Sequence, residues 1–361
     1  MNTNLNVLSL AEWNIPSNDR MIIAGPCSAE SEDQVMNTAL ELKDRNVDVL
    51  RAGIWKPRTR PNSFEGVGTP GLKWLKNAGE AAGLPVAVEV ANPKQIEEAL
   101  AHDIDILWLG ARTTPNPFAV QEIAEALKGV DAQVMVKNPI NADLQLWIGA
   151  MERLNMAGVK KLVAIHRGFS TYKEELYRNQ PLWRIPIELK RMVPGIPIVC
   201  DPSHICGKRE LIFEVAQKAL DLLFDGLMIE VHVNPDEALS DAKQQLTPDA
   251  FTELMDNLKF RAATTNSLDV MAQLKSLRDQ IDKYDEELIE ILAKRMENAR
   301  KISVHKMKNN VAIFQPGRWD EVVKSRIEKG SENNLSEDFI FQLFQYIHEE
   351  SIRQQEQVLN D

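Results

Sequence analysis

The chain is poor in cysteine, with Cys27, Cys200 and Cys206 the only three in 361 residues, and it is short of positive charge, with a net charge of −11. Three thiols build no disulfide framework, which points to a reducing cytoplasm. The acidic total argues against nucleic acid as a general partner. Long apolar runs are missing: none approaches the roughly 20 residues that span a bilayer, so no membrane segment is expected. The opening MNTNLNVLSLAEWNIPSNDR lacks a basic stretch followed by an apolar one, so no signal peptide is expected. No G-x-G-x-x-G follows the first apolar run, which disfavours an open dinucleotide-binding sheet. What is present is 44% hydrophobic and 26% charged residues, enough for about two domains with a large core.

From residue 21 to about 233 one phrase repeats. A short Val/Ile/Leu-rich run ends in a polar or glycine turn and leads into a helical pattern. The runs are MIIAG (21–25), VDVLRAG (47–53), PVAVEV (85–90), ILWLG (106–110), QVMVKN (133–138), LVAIHRG (162–168), IPIVCDPSH (196–204) and GLMIEVHV (226–233). Continuous apolar runs alternating with helices read as a parallel sheet covered on both faces. Eight such units predict an α/β fold, a (β/α)8 TIM barrel over residues 1–260.

The rhythm changes after the linker RAATTNS (261–267). Leu274, Leu277, Ile281, Tyr284, Leu288 and Ile291 step by three and four, the spacing of a heptad seam. The pattern predicts one helix from an N-cap at Ser267 to about Lys308, roughly 60 Å long. A second helix follows Pro316-Gly317 and ends at Gly330, and a third runs from about Ser336 to Val358. Residues 268–361 thus read as an all-α, three-helix domain. So long a helix cannot bury its seam against two shorter ones, so pairing with a second copy is expected.

In a (β/α)8 barrel the chemistry sits where the strands end. Those exits carry Cys27, Arg51 and Lys56, Glu89, Arg112, Lys137, His166-Arg167, Asp201 with His204, and Glu230 with His232. Arg51, Lys56, Arg112, Lys137 and Arg167 put five cations on one rim of an acidic protein, which suits phosphate- or carboxylate-bearing substrates. The stretch IWKPRTRPNSF (54–64) adds cations on a segment stiffened by proline, a preorganised anion clamp. Cys27, His204 and Glu230 lie at the ends of the first, seventh and eighth strands, neighbours once the barrel closes, and Asp241 follows in the next loop. This set suits a divalent transition metal. A buried structural cysteine and a hydrogen-bonded core histidine are the other reading.

GPCSAES, RAGIWKPRTRPNSF, VEV, LGAR, VKNP, HRG, DPSH and IEVH occur in this order. Over roughly residues 15–260 they make the chain resemble 3-deoxy-D-arabino-heptulosonate 7-phosphate (DAHP) synthase, in the branch related to 3-deoxy-octulosonate 8-phosphate synthase. The resemblance implies condensation of phosphoenolpyruvate with erythrose 4-phosphate and release of phosphate. It implies a divalent metal (Mn, Co, Fe or Zn) held by Cys27, His204, Glu230 and Asp241, polarising the aldehyde as a Lewis acid. It assigns phosphoenolpyruvate to Arg51, Lys56, Arg112, Lys137 and Arg167, and the sugar phosphate to Arg58 and Thr59. Lys56 is a candidate general acid beside Arg51 and Arg58, or else an electrostatic contact only. Glu89 orients the water or pairs with Lys56. A regulatory domain that some relatives carry before the barrel is expected to be absent.

LRDQIDKYDEELIEILAKR, VHKMK, PGRW and FQYIHEESIRQQ resemble the all-helical chorismate mutase family over about 268–357. That family forms interlocked dimers. The resemblance implies that Arg278 of one chain and Arg295 of the other hold the carboxylates of chorismate. Lys306 and Gln355 would meet the ether oxygen, and Arg318 and Ser351 would line the pocket. Gln315 stands where the family often has Asp, and Trp319 where it has a Glu, with Asp320 or Glu321 as possible substitutes. The chain thus reads as a bifunctional, allosteric enzyme of the shikimate route. A second reading makes the helical domain mainly a prephenate- or chorismate-sensing and dimerisation module.

Overall fold

A computed structural model describes residues 5–13, 15, 20–56, 64–172 and 176–360. The chain divides into two compact units, Met1–Ala263 and Thr264–Asp361. In the first, eight parallel strands close into a barrel in sequence order. They are β1 Met21–Gly25, β2 Val49–Ala52, β3 Val86–Val90, β4 Ile106–Leu109, β5 Gln133–Lys137, β6 Lys161–His166, β7 Ile198–Cys200 and β8 Gly226–Glu230. Closure is made by β1 against β8, from Met21 opposite Gly226 to Gly25 opposite Glu230. The helices around the barrel are α1 Glu32–Leu42, α2 Pro70–Ala82, α3 Pro93–Ala101, α4 Pro117–Ala126, α5 Leu144–Met156, α6 Arg184–Met192, α7 Pro202–Cys206, α8 Ile212–Asp221 and α9 Pro248–Asn257.

Both faces of the strands are buried, hence unbroken apolar runs rather than polar alternation. The faces belong to different cores. Leu50, Val86, Val88, Val134, Ala164 and Ile229 pack outward against the helices. Ile23, Val49, Ala87, Trp108, Met135 and Met228 fill the barrel, joined by Trp13 and Ile15 from the segment before β1. Strand exits turn sharply into helices because Asn92, Asn116 and Asp201 cap the amide ends of α3, α4 and α7, each followed by a proline as first helical residue.

The second unit holds α10 Leu268–Lys308, α11 Pro316–Glu332 and α12 Glu337–Asn360. The side chain of Ser267 accepts from the Val270 amide, the N-cap expected from sequence. Gly330 does not end α11; the helix continues to Glu332 and Gly330 is buried inside it. A Cβ there would stand 2.4 Å from Ile340 Cγ1, so this glycine permits close approach of α12 instead of stopping a helix. Met296, Ala299 and Ser303 are the buried residues of α10, and every residue from 268 to 291 is exposed. Among the described residues no helix is long and apolar enough to cross a membrane.

Candidate active sites

Strand parity aims the barrel site. Side chains alternate along a strand. Val49, Ala87, Met135, Ile165, Val199 and Met228 face the barrel interior. Two residues on stand Arg51, Glu89, Lys137, Arg167, Asp201 and Glu230, so these point into the mouth. His166 has the other parity, and with it the expected placement at the rim changes. Its ring lies among Phe169, Trp183 and Phe224 with centroids 5.3–6.0 Å away.

Cys27, Glu230 and Asp241 offer ligand atoms within 4.8 Å of one another. His204 is outside that mutual group, but its Nε2 lies 3.7 Å from Glu230 Oε1. Asp201 caps α7 and also meets His204 Nδ1 at 2.8 Å, which turns Nε2 toward Glu230. Lys137 Nζ donates to the same carboxylate at 2.8 Å. Glu230 Oε1 is buried and accepts no hydrogen bond. A buried carboxylate oxygen that accepts no hydrogen bond and faces the Arg51 guanidinium at 3.3 Å, beside a thiol, an imidazole and a second carboxylate, fits a divalent transition metal.

The electrostatics agree with that fit. Burial pushes the Cys27 thiol up to about 12, helped by Glu230 and opposed by Lys56. Burial also disfavours the Glu230 and Asp201 anions. His204 and Arg51 outweigh it at Glu230, and His204 and Lys137 at Asp201, so both carboxyls are held low. Burial lowers His204, which favours the neutral imidazole that a metal takes. A bound cation would reverse the penalty on the Cys27 thiolate.

The cations converge on the same mouth. Arg51, 1% exposed, donates to the Cys27 carbonyl, sets Nη1 3.3 Å from Glu230 Oε1 and lies over the Trp108 ring. Lys56 Nζ donates to Cys27 Sγ at 3.1 Å. Glu89 accepts from the Trp108 indole, and lines a cavity with Lys56. Arg167 donates to Asn179. Burial pulls its guanidinium down to about 10, opposed by Asp201 and helped by Arg178 and Arg112. Arg112 is exposed. Arg58 and Thr59 lie outside the described residues.

In the helical unit a cavity of about 420 Å³ brings together Arg295, Lys306, Arg318, Ser351 and Gln355. Arg295 donates to Ser351 Oγ, and Lys306 to the Ile313 carbonyl. Gln355 Oε1 is buried without a partner. Trp319 lines the cavity, stacked on His348 at 4.3 Å. Glu321 pairs instead with Arg318 across exposed surface, and neither it nor Asp320 lines the cavity. Arg278 is exposed and does not join the group: seventeen residues before Arg295 on one helix, it is roughly 25 Å away.

Sequence reasoning missed His348, Arg178 and Gln244. Arg178 pairs with Asp241 at 2.9 Å, and Gln244 donates to Glu230 at 2.7 Å. A further arginine in the loop after β6, on the rim already rich in cations, was the available signal for the first. His348 had one too, three and seven residues before Ser351 and Gln355 and so on the same helix face; Gln244 had none in the residue pattern.

Residues 8–264 match the DAHP synthetase I family, and residues 277–356 match chorismate mutase type II. A phospho-2-dehydro-3-deoxyheptonate aldolase of Thermotoga maritima is 32% identical over 253 residues, covering 70% of this chain and 73% of the relative. A 2-dehydro-3-deoxyphosphooctonate aldolase of Vesicomyosocius okutanii is 27% identical, covering 68% of this chain and 91% of the relative. The crystal structure of the Thermotoga maritima DAHP synthase superposes with a TM-score of 0.60 at 30% identity, covering 68% of this chain and 72% of that one.

Proposed function

Because the chain belongs to the DAHP synthetase I family and carries a chorismate mutase type II domain after it, we propose that it joins phosphoenolpyruvate to erythrose 4-phosphate and also rearranges chorismate to prephenate. The observation that carries the first reaction is the shared mouth: Cys27, Glu230 and Asp241 within 4.8 Å of one another, ringed by Arg51, Lys56, Lys137 and Arg167. A divalent ion bound there, Mn, Co, Fe or Zn, would supply Lewis acidity toward the aldehyde. Arg51, Lys56, Arg112, Lys137 and Arg167 would hold the phosphate and carboxylate of phosphoenolpyruvate and offset the repulsion between two anionic substrates. Arg58 and Thr59, in the KPRT stretch, would take the sugar phosphate. Lys56, beside the Cys27 sulfur, is placed to give a proton, and Glu89 to orient water.

For the second reaction, Arg295, Lys306 and Gln355 would meet one carboxylate and the breaking ether bond, with Arg318 and Ser351 lining the pocket. The pericyclic step needs a compact pose and charge stabilisation, not a nucleophile. Arg278 would come from a second chain. The exposed seam of Leu274, Leu277, Ile281 and Leu288, each 42–57% exposed, supports a homodimer paired along α10. The three free cysteines fit a cytoplasmic enzyme. Metal-stripped protein given phosphoenolpyruvate and erythrose 4-phosphate, then a panel of divalent ions, tests the first activity: phosphate release should return with the ion and stay absent in Cys27→Ser.

One observation favours a second role for the helical unit, as a sensor of chorismate or prephenate that regulates the barrel. Gln315 and Trp319 line the cavity where the resemblance expected carboxylates, so the described lining has cations and no anion. Such a wall suits binding a dianion more than positioning its hydroxyl. Slow chorismate turnover together with inhibition of the barrel by prephenate would make sensing the main role; fast turnover with no inhibition would remove it.

A further inference from the structure

The two carboxylates among the candidate metal ligands, Glu230 and Asp241, are not held alike at their two oxygens. Asp241 Oδ1 accepts from Arg178 Nη1 at 2.9 Å, and the same nitrogen donates to Gln244 Oε1 at 2.8 Å. Gln244 Nε2 in turn donates to Glu230 Oε2 at 2.7 Å. One bridge, Asp241–Arg178–Gln244–Glu230, therefore occupies one oxygen of each acid. The oxygens left over face the other candidate ligands: Asp241 Oδ2 is 3.4 Å from Cys27 Sγ, and Glu230 Oε1 is 3.7 Å from His204 Nε2. Glu230 Oε1 is buried and accepts no hydrogen bond, with the Arg51 guanidinium 3.3 Å away as its counter-charge.

The surroundings are built to keep the bridge. Gln244 is 1% exposed, so its amide can turn only between these partners. Arg178 lies against Gly207, where any Cβ would stand 2.5 Å from the Arg178 Cβ. Asp241 sits at φ 49°, an unfavourable conformation for a non-glycine residue, and its loop is fastened by Ser28 to Ser240 at 2.7 Å and by the Cys27 amide to Gln245 at 2.9 Å. The Arg178 guanidinium, after burial, is the main influence on Asp241 and holds its carboxyl below the usual range.

We infer that Arg178 and Gln244 are positioning residues that fix Asp241 and Glu230 as one-oxygen ligands, each with its free oxygen turned to a common ion. The inference rests on the metal reading above. It follows from the way outer partners set ligand orientation: a carboxylate whose second oxygen is tied cannot swing to chelate the ion or turn away from it. The bridge passes through a single nitrogen of Arg178, so a lysine that reached the same point would serve it; a methionine of similar length would not.

The test is cobalt binding by full-length, metal-stripped protein. The thiolate-to-Co(II) absorption band reports on Cys27, and competition with a chelator gives the Kd. Wild type should show the band and Cys27→Ser should lose it. Arg178→Met and Gln244→Met should each bind roughly 10- to 100-fold more weakly. The double variant should be no weaker than the worse single one, because both break the same bridge. Arg178→Lys should recover most of the affinity. Melting curves identify the variants that remain folded, and either single variant suffices. Wild-type affinity in both methionine variants, or additive losses without rescue by lysine, overturns the bridge while leaving the metal reading intact. A band missing in wild type, or unchanged in Cys27→Ser, overturns both.

Discussion

The barrel unit and the helical unit treat charge and apolar surface in opposite ways. Inside the barrel Arg51 and Glu230 are 1% and 0% exposed and face each other at 3.3 Å, and Lys137 and Asp201 meet at 2.8 Å. These buried charges find partners within the same chain. In the helical unit the cavity gathers Arg295, Lys306 and Arg318 with no acid in its lining, and residues 268–291 of α10 lie exposed. A closed barrel has no free sheet edge, so one chain completes it. A long helix with a heptad seam is completed only by another surface. The two sites differ in self-sufficiency: the first is assembled in one chain, whereas on the proposed reading the second is completed by Arg278 of another chain.

The sharpest way to break that comparison is Glu230→Gln. The amide keeps the shape but leaves Arg51 buried without its anion, which should cost about 3–5 kcal/mol of stability. Condensation activity should fall by about a thousandfold or more, the several kcal/mol that a lost metal site represents. Chorismate turnover by the same preparation should be unchanged. Condensation within about tenfold of wild type would mean that the Cys27–Glu230–Asp241 group is structural.

The counterpart in the helical unit is Arg295→Ala. If Arg295 meets a substrate carboxylate as proposed, its loss should lower kcat/KM for chorismate by about 30-fold to a few thousandfold, roughly 2–5 kcal/mol, while phosphate release by the barrel stays at the wild-type rate. Ile281→Asp separates assembly from chemistry. Ile281 is 56% exposed on the seam and about 20 Å of helix from Arg295. Sedimentation should show the dimer giving way to monomer, and chorismate turnover should fall with it because Arg278 no longer arrives. A variant that stays dimeric would place the interface elsewhere.

Much of the barrel is legible in the sequence because period and chemistry coincide there. The eight apolar runs are the eight strands, and counting two residues from an interior residue such as Val49 or Met228 lands on Arg51 or Glu230. The same count would have turned His166 away from the mouth, since Ile165 faces inward. Loops have no such period. Arg178 reaches Asp241 only after β6, β7 and β8 have closed side by side, and Gln244 reaches Glu230 only when the loop after β8 folds back on its own strand, so spacing alone could not pair them. In the helical unit the Ser267 cap and the seam were readable. Gly330 was not, because a glycine before a loop carries the same local signal whether it stops a helix or admits a neighbour.

His166 tests whether buried titratable groups set the barrel apart. Burial pulls the imidazole down to about 3, opposed by the Pro181 backbone and Asp201, with Arg167 adding to it. The unfolded chain takes up a proton near 6.5 and the folded one does not. This contribution is therefore intact above about pH 6.5 and is lost as pH falls toward 3, amounting to about 2 kcal/mol at pH 5. His166→Phe should remove that loss, so the acid midpoint of barrel unfolding moves to lower pH. The transition of the helical unit should stay where it was. An unchanged barrel midpoint would mean that His166 is hydrated or charged in the native state.

The smallest effect belongs to Gly330→Ala, and it separates close packing from bare helix propensity. If Gly330 sat inside α11 with nothing packed against it, alanine would stabilise the helix by about 1 kcal/mol, its propensity advantage over glycine. The structure instead places the new methyl 2.4 Å from Ile340 Cγ1. Overpacking of that kind costs about 1–3 kcal/mol, which outweighs the propensity gain and leaves a net loss near 1 kcal/mol. Urea unfolding of the helical unit reads the sign directly. Ile340→Ala alone should be destabilising because it opens a cavity, but combined with Gly330→Ala the added methyl should occupy part of that space. The double variant should therefore be more stable than the sum of the single losses by at least about 0.5 kcal/mol. Strict additivity, or a stabilising Gly330→Ala, would show that α11 and α12 do not meet at this glycine.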